Sequence, residues 1–297
     1  MRVALATCAP LADGWPDDHL LAEALRRRGS EALFGVWDDP SFDWGTFDRV
    51  VVRSTWDYTR RRDLFLRWAL SLDGRLENPA AVLEWNSDKH YLAELRDAGI
   101  HVVETAYVGP GDPDPPLPGE VVVKPAVSAG ARDTGRFSAD AHAGARALLD
   151  RLRGAGRVAM VQPYLGSVDE RGETAIVYFG GAESHVLRKQ AVLYPDEEAP
   201  LRDDQIGSAE AMYRDDLVGA GEAGAAERSL AGAVIDHLRE RFGRVPLYAR
   251  VDMVTGDDGR PLLLELELVE PLLYLASAPG SAERLAEALL ARAGGRA

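Results

Sequence analysis

The chain has 297 residues, 46% hydrophobic and 28% charged, and a formal net charge of −14. Such a chain builds an ample core, and an acidic balance without a long basic stretch excludes nucleic acid and anionic membrane as expected partners. The single cysteine, Cys8, leaves no internal disulfide and points to the reducing cytoplasm, and no apolar run is long enough to span a bilayer. Arginine dominates the basic residues; the lysines are Lys89, Lys124 and Lys189 alone. Lysine supplies a compact, mobile ammonium where arginine supplies a rigid fork, so the places of these lysines test where point charges are needed.

Taken in order, residues 2–6 read as a buried first strand rather than a signal peptide, and 7–16 as a loop rich in Pro and Gly. Asp17 or Asp18 caps a helix that Gly29 ends. Strands at 32–36 and 49–52 and a helix at 61–72 complete a small parallel sheet, whose ligands should gather at the carboxyl ends of its strands. The segment Arg53-Ser54-Thr55-Trp56-Asp57-Tyr58 lies there. It offers Arg53 as a carboxylate clamp, with Ser54 and Asp57 beside it; a surface turn over a packed Trp56 is the structural alternative. No G-x-G-x-x-G follows the first strand, which argues against a dinucleotide domain.

In the next stretch, WNSDKHYLAELRDAGI, Asn86 or Ser87 caps a helix that Gly99 stops. Lys89 falls in its first turn, where a cation opposes the helix dipole. Residues 109–119 form a stiff Pro/Gly connector. A strand at 121–123 then delivers Lys124 to a small-residue loop, 128–135, in which Ser128 and Gly130 would let backbone N–H groups approach phosphate, although a plain hairpin loop fits as well. A helix at 139–152 and a strand at 158–161 lead to Gln162-Pro163-Tyr164-Leu165, an extended segment able to read a purine edge. A hairpin across Gly180-Gly181 carries Arg188 and Lys189 on its second strand. Residues 195–227 read as a mobile surface loop, and 229–242 and 282–293 as helices.

Between those helices lies LYARVDMVTGDDGRPLLLELELVEP, two alternating apolar runs around a strong turn signal. With Asp257 and Asp258 as the loop, Arg250 would lie opposite Glu265 and Asp252 opposite Leu263. Alternation then places Arg250, Asp252, Glu265 and Glu267 on one face and Val251, Met253, Leu264, Leu266 and Leu268 on the other. Carboxylates so concentrated either solvate or gather a cation, and oxygen ligands suit Mg²⁺ or Mn²⁺.

These stations, in this order, resemble the ATP-grasp superfamily of carboxylate–amine ligases from about residue 85 to the C-terminus. The segments TCAPLADGWPDDHLL, RSTWDY, WNSDKHYL and LELELVEPLLYL are similar to a glutathione-synthetase-like bacterial subgroup that includes cycloserine-forming O-ureido-serine cyclo-ligases. The resemblance implies an α/β (α+β) chain. A parallel-sheet substrate domain over 1–84 would precede an ATP-grasp domain over 85–297, with a mobile lid at about 110–162 and a mainly antiparallel C-terminal sheet. It implies ATP held by Lys89, Lys124, Ser128, Gly130, Gln162, Tyr164, Leu165 and Lys189, and Mg²⁺ on Asp252, Glu265 and Glu267. Arg250 and Lys189 would act on the transferring phosphoryl group, while Arg53, Ser54, Asp57 and Glu270 would meet a small amino-acid-like substrate. The chain departs from the superfamily pattern at Glu267, where most members have asparagine, and at Gln162, where many have glutamate. Intramolecular cyclisation is the first expected activity. Intermolecular amino-acid ligation and nucleotide binding without turnover are the alternatives, and a homo-oligomer is compatible with each.

Overall fold

The computed structural model describes residues 1–72, 74–198 and 217–294. The first sheet holds β1 (Arg2–Thr7), β2 (Glu31–Val36), β3 (Arg49–Ser54) and β4 (Leu76–Glu77), all parallel, in the order β2-β1-β3-β4. Helix α1 (Pro16–Arg27) joins β1 to β2, and α2 (Arg62–Ser71) joins β3 to β4. The run Val50-Val51-Val52 is buried on both faces, as expected for the centre of a covered parallel sheet.

Two short helices follow where the sequence suggested one. Helix α3 (Ala80–Asn86) ends at Asn86, and α4 (Tyr91–Asp97) begins only at Tyr91. Asn86 therefore closes a helix rather than capping one, and Lys89 occupies the turn between the two. Its backbone N–H is fixed by the Ala126 carbonyl at 2.9 Å.

A second sheet contains β5 (Ala106–Val108), β6 (Val121–Pro125), β7 (Gly135–Phe137), β8 (Ala159–Pro163) and β11 (Glu197–Glu198), in the order β11-β7-β6-β8-β5. Helix α5 (His142–Gly154) covers it. Ala145, Leu148, Leu149 and Leu152 recur at helical spacing and pack on Val121, Val123, Phe137, Ala159 and Val161.

The third sheet is antiparallel except where noted below. After α6 (Ser167–Arg171) come β9 (Glu173–Phe179), β10 (Ala182–Lys189), β12 (Val218–Ala220), β13 (Tyr248–Thr255) and β14 (Pro261–Glu267), in the order β12-β10-β9-β13-β14. Alternation along β9 sorts its side chains. Ile176 and Tyr178 pack with the cluster under α7 (Ala225–Phe242), whereas Ala175, Val177 and Phe179 pack with α1 and α8 (Ser281–Gly294). Most of the expected surface loop at 195–227 lies outside the described residues. Of its described part, 197–198 adds an edge strand to the second sheet and 218–220 one to the third, and α7 starts at Ala225, earlier than expected. Among the described residues no helix is long and apolar enough to cross a membrane.

The register of the last hairpin differs from expectation. The turn is longer, with Gly256 N–H donating to the Arg260 carbonyl at 2.8 Å, and a bulge lies between Asp252 and Met253. Arg250 pairs with Glu267, Asp252 with Glu265 and Met253 with Leu263. The extra residue on β14 is Leu264, which turns to the cleft described below, while Leu263 takes its place in the core. The charged face survives because the longer turn and the bulge together shift Glu265 and Glu267 by two positions, one full alternation.

Strand β14 is an edge, and its free side is covered by side chains and by a parallel bridge from Val102 to Leu263. Buried Asn86 donates to the Leu266 carbonyl (2.8 Å) and accepts from the Leu268 N–H (2.7 Å). Buried Asn78 donates to the carbonyls of Tyr248 (3.0 Å) and Leu268 (2.8 Å) and accepts from the Leu247 N–H (2.6 Å). Replacing Asn86 with alanine should cost about 2–4 kcal/mol, because two buried backbone groups, the Leu266 carbonyl on β14 and the Leu268 N–H just beyond it, lose their partners. Urea denaturation measures this, and a loss below about 1 kcal/mol would mean that water replaces the amide.

Candidate active site

The charged face of β13 and β14 opens on a cleft of about 1770 Å³, counting space open to solvent, between the second and third sheets. On its floor Arg250 is buried and fully engaged. It donates from Nε to Asp252 Oδ1 at 2.8 Å and from Nη2 to Asp252 Oδ2 at 2.9 Å. It also reaches Glu267 Oε1 at 2.6 Å and the Leu272 carbonyl at 2.7 Å. Lys189, at the end of β10, bridges Glu173 Oε2 and Asp252 Oδ2, each at 2.7 Å. Burial opposes the charge on Asp252, but Arg250 and then Lys189 outweigh it and hold the carboxyl well below its usual range. Burial likewise opposes the Lys189 ammonium, and Asp252 and Glu173 more than compensate.

The remaining lysines stand over the same floor. Lys89 contacts Glu265 Oε1 at 3.2 Å and donates to the Ser128 carbonyl at 2.8 Å, so it ties β14 to the small-residue loop. Glu265 is also held below its usual range: burial raises its pKa, and Lys89 and Lys124 overcome that. Lys124 projects from the end of β6 into the cleft with 9% of its surface exposed and no hydrogen-bond or ion-pair partner among the described residues. Burial therefore lowers its pKa. The charge of Glu265 offsets that only in part. A buried ammonium without a hydrogen-bonded partner is costly, and a phosphate in the cleft would supply one.

The acids toward the other end of the cleft behave oppositely. Burial, reinforced by Asp252 and Glu265 and opposed by Arg250, pushes Glu267 up to about 7. Burial, then the charge of Glu267, pushes Glu270 up to about 8.

The wall of the second sheet is built from Gln162, Pro163, Tyr164 and Leu165 at the end of β8 and from Ser128 to Ala131 and Thr134 in the loop between β6 and β7. The Gln162 side chain turns away to Thr105 Oγ1 at 2.9 Å, leaving its backbone, not its amide, as a reader of the cleft. Tyr164 is fixed by Asp169 at 2.7 Å, with the Arg136 guanidinium 3.5 Å above its ring. The loop backbone is left-handed at Gly130, Ala131 and Asp133, with φ of 64°, 53° and 54°. Only glycine adopts this without strain, so two of the three positions store some, a pattern frequent at ligand-binding loops.

Arg53, Ser54 and Asp57 do not line the cleft. Arg53 is buried, pairs with Asp18 at 2.9 Å and donates to the Pro271 carbonyl at 3.0 Å. Ser54 shares a hydrogen bond with Thr7 at 2.9 Å. Asp57 accepts from Trp37 and Arg61, each at 2.8 Å. From the same segment it is Trp56 and Tyr58 that reach the cleft, with Glu270 and Tyr274 nearby on its wall. The sequence reading also missed Glu173, Asn86 and Thr134 on that wall. Glu173 pairs with Lys189 across the β9–β10 hairpin, so the register of that hairpin could have pointed to it.

As for a metal, no three carboxylates converge into a ready cage among the described residues; each acid of the floor already faces a cation. Mg²⁺ is commonly held by one or two carboxylates plus substrate phosphates, so Glu265 and Glu267, each more than a quarter exposed, remain suitable ligands, and Asp252 less so.

This geometry has close counterparts. The family described as "D-cycloserine synthetase DcsG, N-terminal domain" matches residues 3–78. The "Cycloserine biosynthesis protein DcsG" of Streptomyces lavendulae is 34% identical over 286 residues, covering 92% of each chain. The crystal structure of D-cycloserine synthetase DcsG superposes with a TM-score of 0.84 at 32% identity, covering 99% of this chain and 100% of that one. For the fold alone, D-alanine–D-alanine ligase from Bacillus anthracis complexed with ATP gives a TM-score of 0.63 at 14% identity, covering 99% of this chain and 97% of that one. The chain thus belongs to the DcsG family of ATP-grasp enzymes and is an ATP-dependent ligase.

Proposed function

We propose that this ligase closes the ring of O-ureido-D-serine to give D-cycloserine, with ATP converted to ADP and phosphate. The observation that carries the phosphate end of the reading is Lys124, a cleft-lining ammonium with no hydrogen-bond or ion-pair partner among the described residues, set above a floor whose acids all have one. The 34% identity to the cycloserine biosynthesis protein over nearly its full length supports the choice of substrate.

In this reading the substrate carboxylate attacks the γ-phosphorus of ATP, the bond to the β-phosphate oxygen breaks, and ADP leaves. An acyl phosphate has then replaced a poor leaving group with a good one. The ureido nitrogen bonded to oxygen attacks the activated carbonyl, loses a proton and expels phosphate, closing the ring. Water then cleaves the carbamoyl group from that ring nitrogen, releasing it as carbon dioxide and ammonia and leaving D-cycloserine. Proximity within one molecule takes the place of a second substrate. Lys124 and Lys89 hold phosphate oxygens, and the Gln162–Leu165 backbone faces the adenine. Arg250 and Lys189, immobilised by Asp252, Glu173 and Glu267, present positive charge without reorganising when charge develops. Glu265 and Glu267 would hold Mg²⁺, which when bound neutralises the phosphates. The Ser128–Thr134 loop excludes water that would hydrolyse the acyl phosphate.

Two outcomes test this. Glu265→Gln should lower substrate-dependent ADP release about 10²- to 10³-fold with little loss of stability, and raise the Mg²⁺ concentration needed. Near-normal turnover would remove Glu265 from the metal site. Asp252→Asn is a poorer probe, since it leaves Arg250 and Lys189 buried beside a neutral group and should also destabilise the fold by about 3–5 kcal/mol. Lys124→Met should weaken ATP binding about 10- to 100-fold while the nucleotide-free protein melts at the same or a higher temperature. Unchanged ATP affinity by calorimetry would exclude the phosphate role. Formation of ADP and D-cycloserine, by mass, from this one substrate separates cyclisation from ligation of two amino acids.

A further inference from the structure

The segment after β14 is neither strand nor helix, yet its backbone is held at every step. The carbonyls of Val269, Glu270, Pro271, Leu272 and Leu273 each accept from a different side chain: Tyr248 (2.8 Å), Trp56 (3.1 Å), Arg53 (3.0 Å), Arg250 (2.7 Å) and His185 (2.8 Å). Asp17 then accepts from the N–H groups of Leu275 (2.9 Å) and Ala276 (3.1 Å), fixing Tyr274 in a left-handed conformation with φ of 50°. Two of the carbonyl donors and the acceptor Asp17 come from the N-terminal sheet and its helix. Such over-determination of an irregular strand end costs buried polar groups, and it presents Glu270, Leu272 and Tyr274 to the cleft in one register.

Among these, Glu270 is distinct. Its carboxylate has no side-chain hydrogen bond or ion pair among the described residues, whereas Asp252, Glu265, Glu267 and Glu173 all have cationic partners. Trp56, which donates to the Glu270 carbonyl, and Tyr58, close enough to feel the Glu270 charge, line the same cleft, and aromatic faces favour a cation. The free positive charge of Lys124 and the fixed charges of Lys89, Lys189 and Arg250 suit anionic groups, while Glu270 suits the opposite sign.

We propose that Glu270 is the specificity-determining residue of the substrate end, accepting a protonated amine, and that Arg53 is a positioning residue that holds Glu270 in place through the Pro271 carbonyl. This rests on the cyclisation reading and deepens it. It orients the amino acid with its carboxylate toward the phosphate-binding cations and its ammonium toward Glu270.

The test measures binding of O-ureido-D-serine and its N-acetyl derivative to the full chain by calorimetry in the presence of ADP, and KM values separately. Wild type should bind the free amine at least about tenfold more tightly than the acetylated form, and Glu270→Gln should lose most of that preference. Arg53→Lys should raise the substrate KM about tenfold with the ATP KM unchanged. Glu77→Gln, which loosens a different buried contact of the N-terminal sheet with Arg244 and Arg292, should not split the two KM values. Undiminished preference for the amine in Glu270→Gln overturns the assignment of Glu270. Parallel changes of both KM values in Arg53→Lys and Glu77→Gln overturn the positioning role. Because binding is read without turnover, a wild-type chain that binds substrate but forms no cycloserine overturns the cyclisation reading instead.

Discussion

The structure depends on one concentration of charge, the Glu267–Arg250–Asp252–Lys189–Glu173 chain across β14, β13, β9 and β10. Each member would be prohibitively costly to bury alone, and each is neutralised by a neighbour on its own strand, on the next one, or, for Lys189 and Asp252, across β9. The chain can form only if these strands pair in the observed register, so electrostatics and register specify one another. For the same reason the floor of the cleft is rigid. Its charges are already oriented, and little reorganisation is left for the moment of phosphoryl transfer.

Around that floor the molecule uses polar side chains as backbone partners. Asn86 closes the free edge of β14, Asn78 ties the residue after it to the start of β13, and the N-terminal sheet supplies Arg53 and Trp56 to the carbonyls beyond. A buried backbone group without a partner costs more than a made hydrogen bond returns, so these contacts define position as much as stability. They explain how the small parallel sheet shapes the cleft beyond the Trp56 and Tyr58 that it contributes: it grips the segment that carries Glu270. The two five-stranded sheets meet through Lys89, whose ammonium spans from Glu265 on β14 to Ser128 in the loop after β6.

Much of this was legible in the chain. The alternation of β13 and β14 placed Arg250, Asp252, Glu265 and Glu267 on one face, and it still does despite a misjudged turn, because the error amounted to one full period. All of the lysines line the cleft, as their scarcity suggested. The errors share a cause. Arg53 was read as a clamp for substrate because its strand end is where ligands gather, but its side chain points inward to Asp18 and Pro271. Asn86 was read as a cap, because a helix boundary was visible and the distant strand edge that it satisfies was not.

The sequence by itself determined which residues carry charge on a common face, where the small-residue loop and the lysines fall along the chain, and which family the order of those stations resembles. These are properties of period and order, which local stereochemistry sets. The tertiary structure alone decided the partners. It placed Lys189 beside Asp252, left Lys124 and Glu270 without ion-pair partners among the described residues, and turned Arg53 from the cleft to a backbone carbonyl. Whether a charge is satisfied or available depends on strands far apart in sequence, because desolvation and pairing are set by what lies across the sheet rather than along the chain.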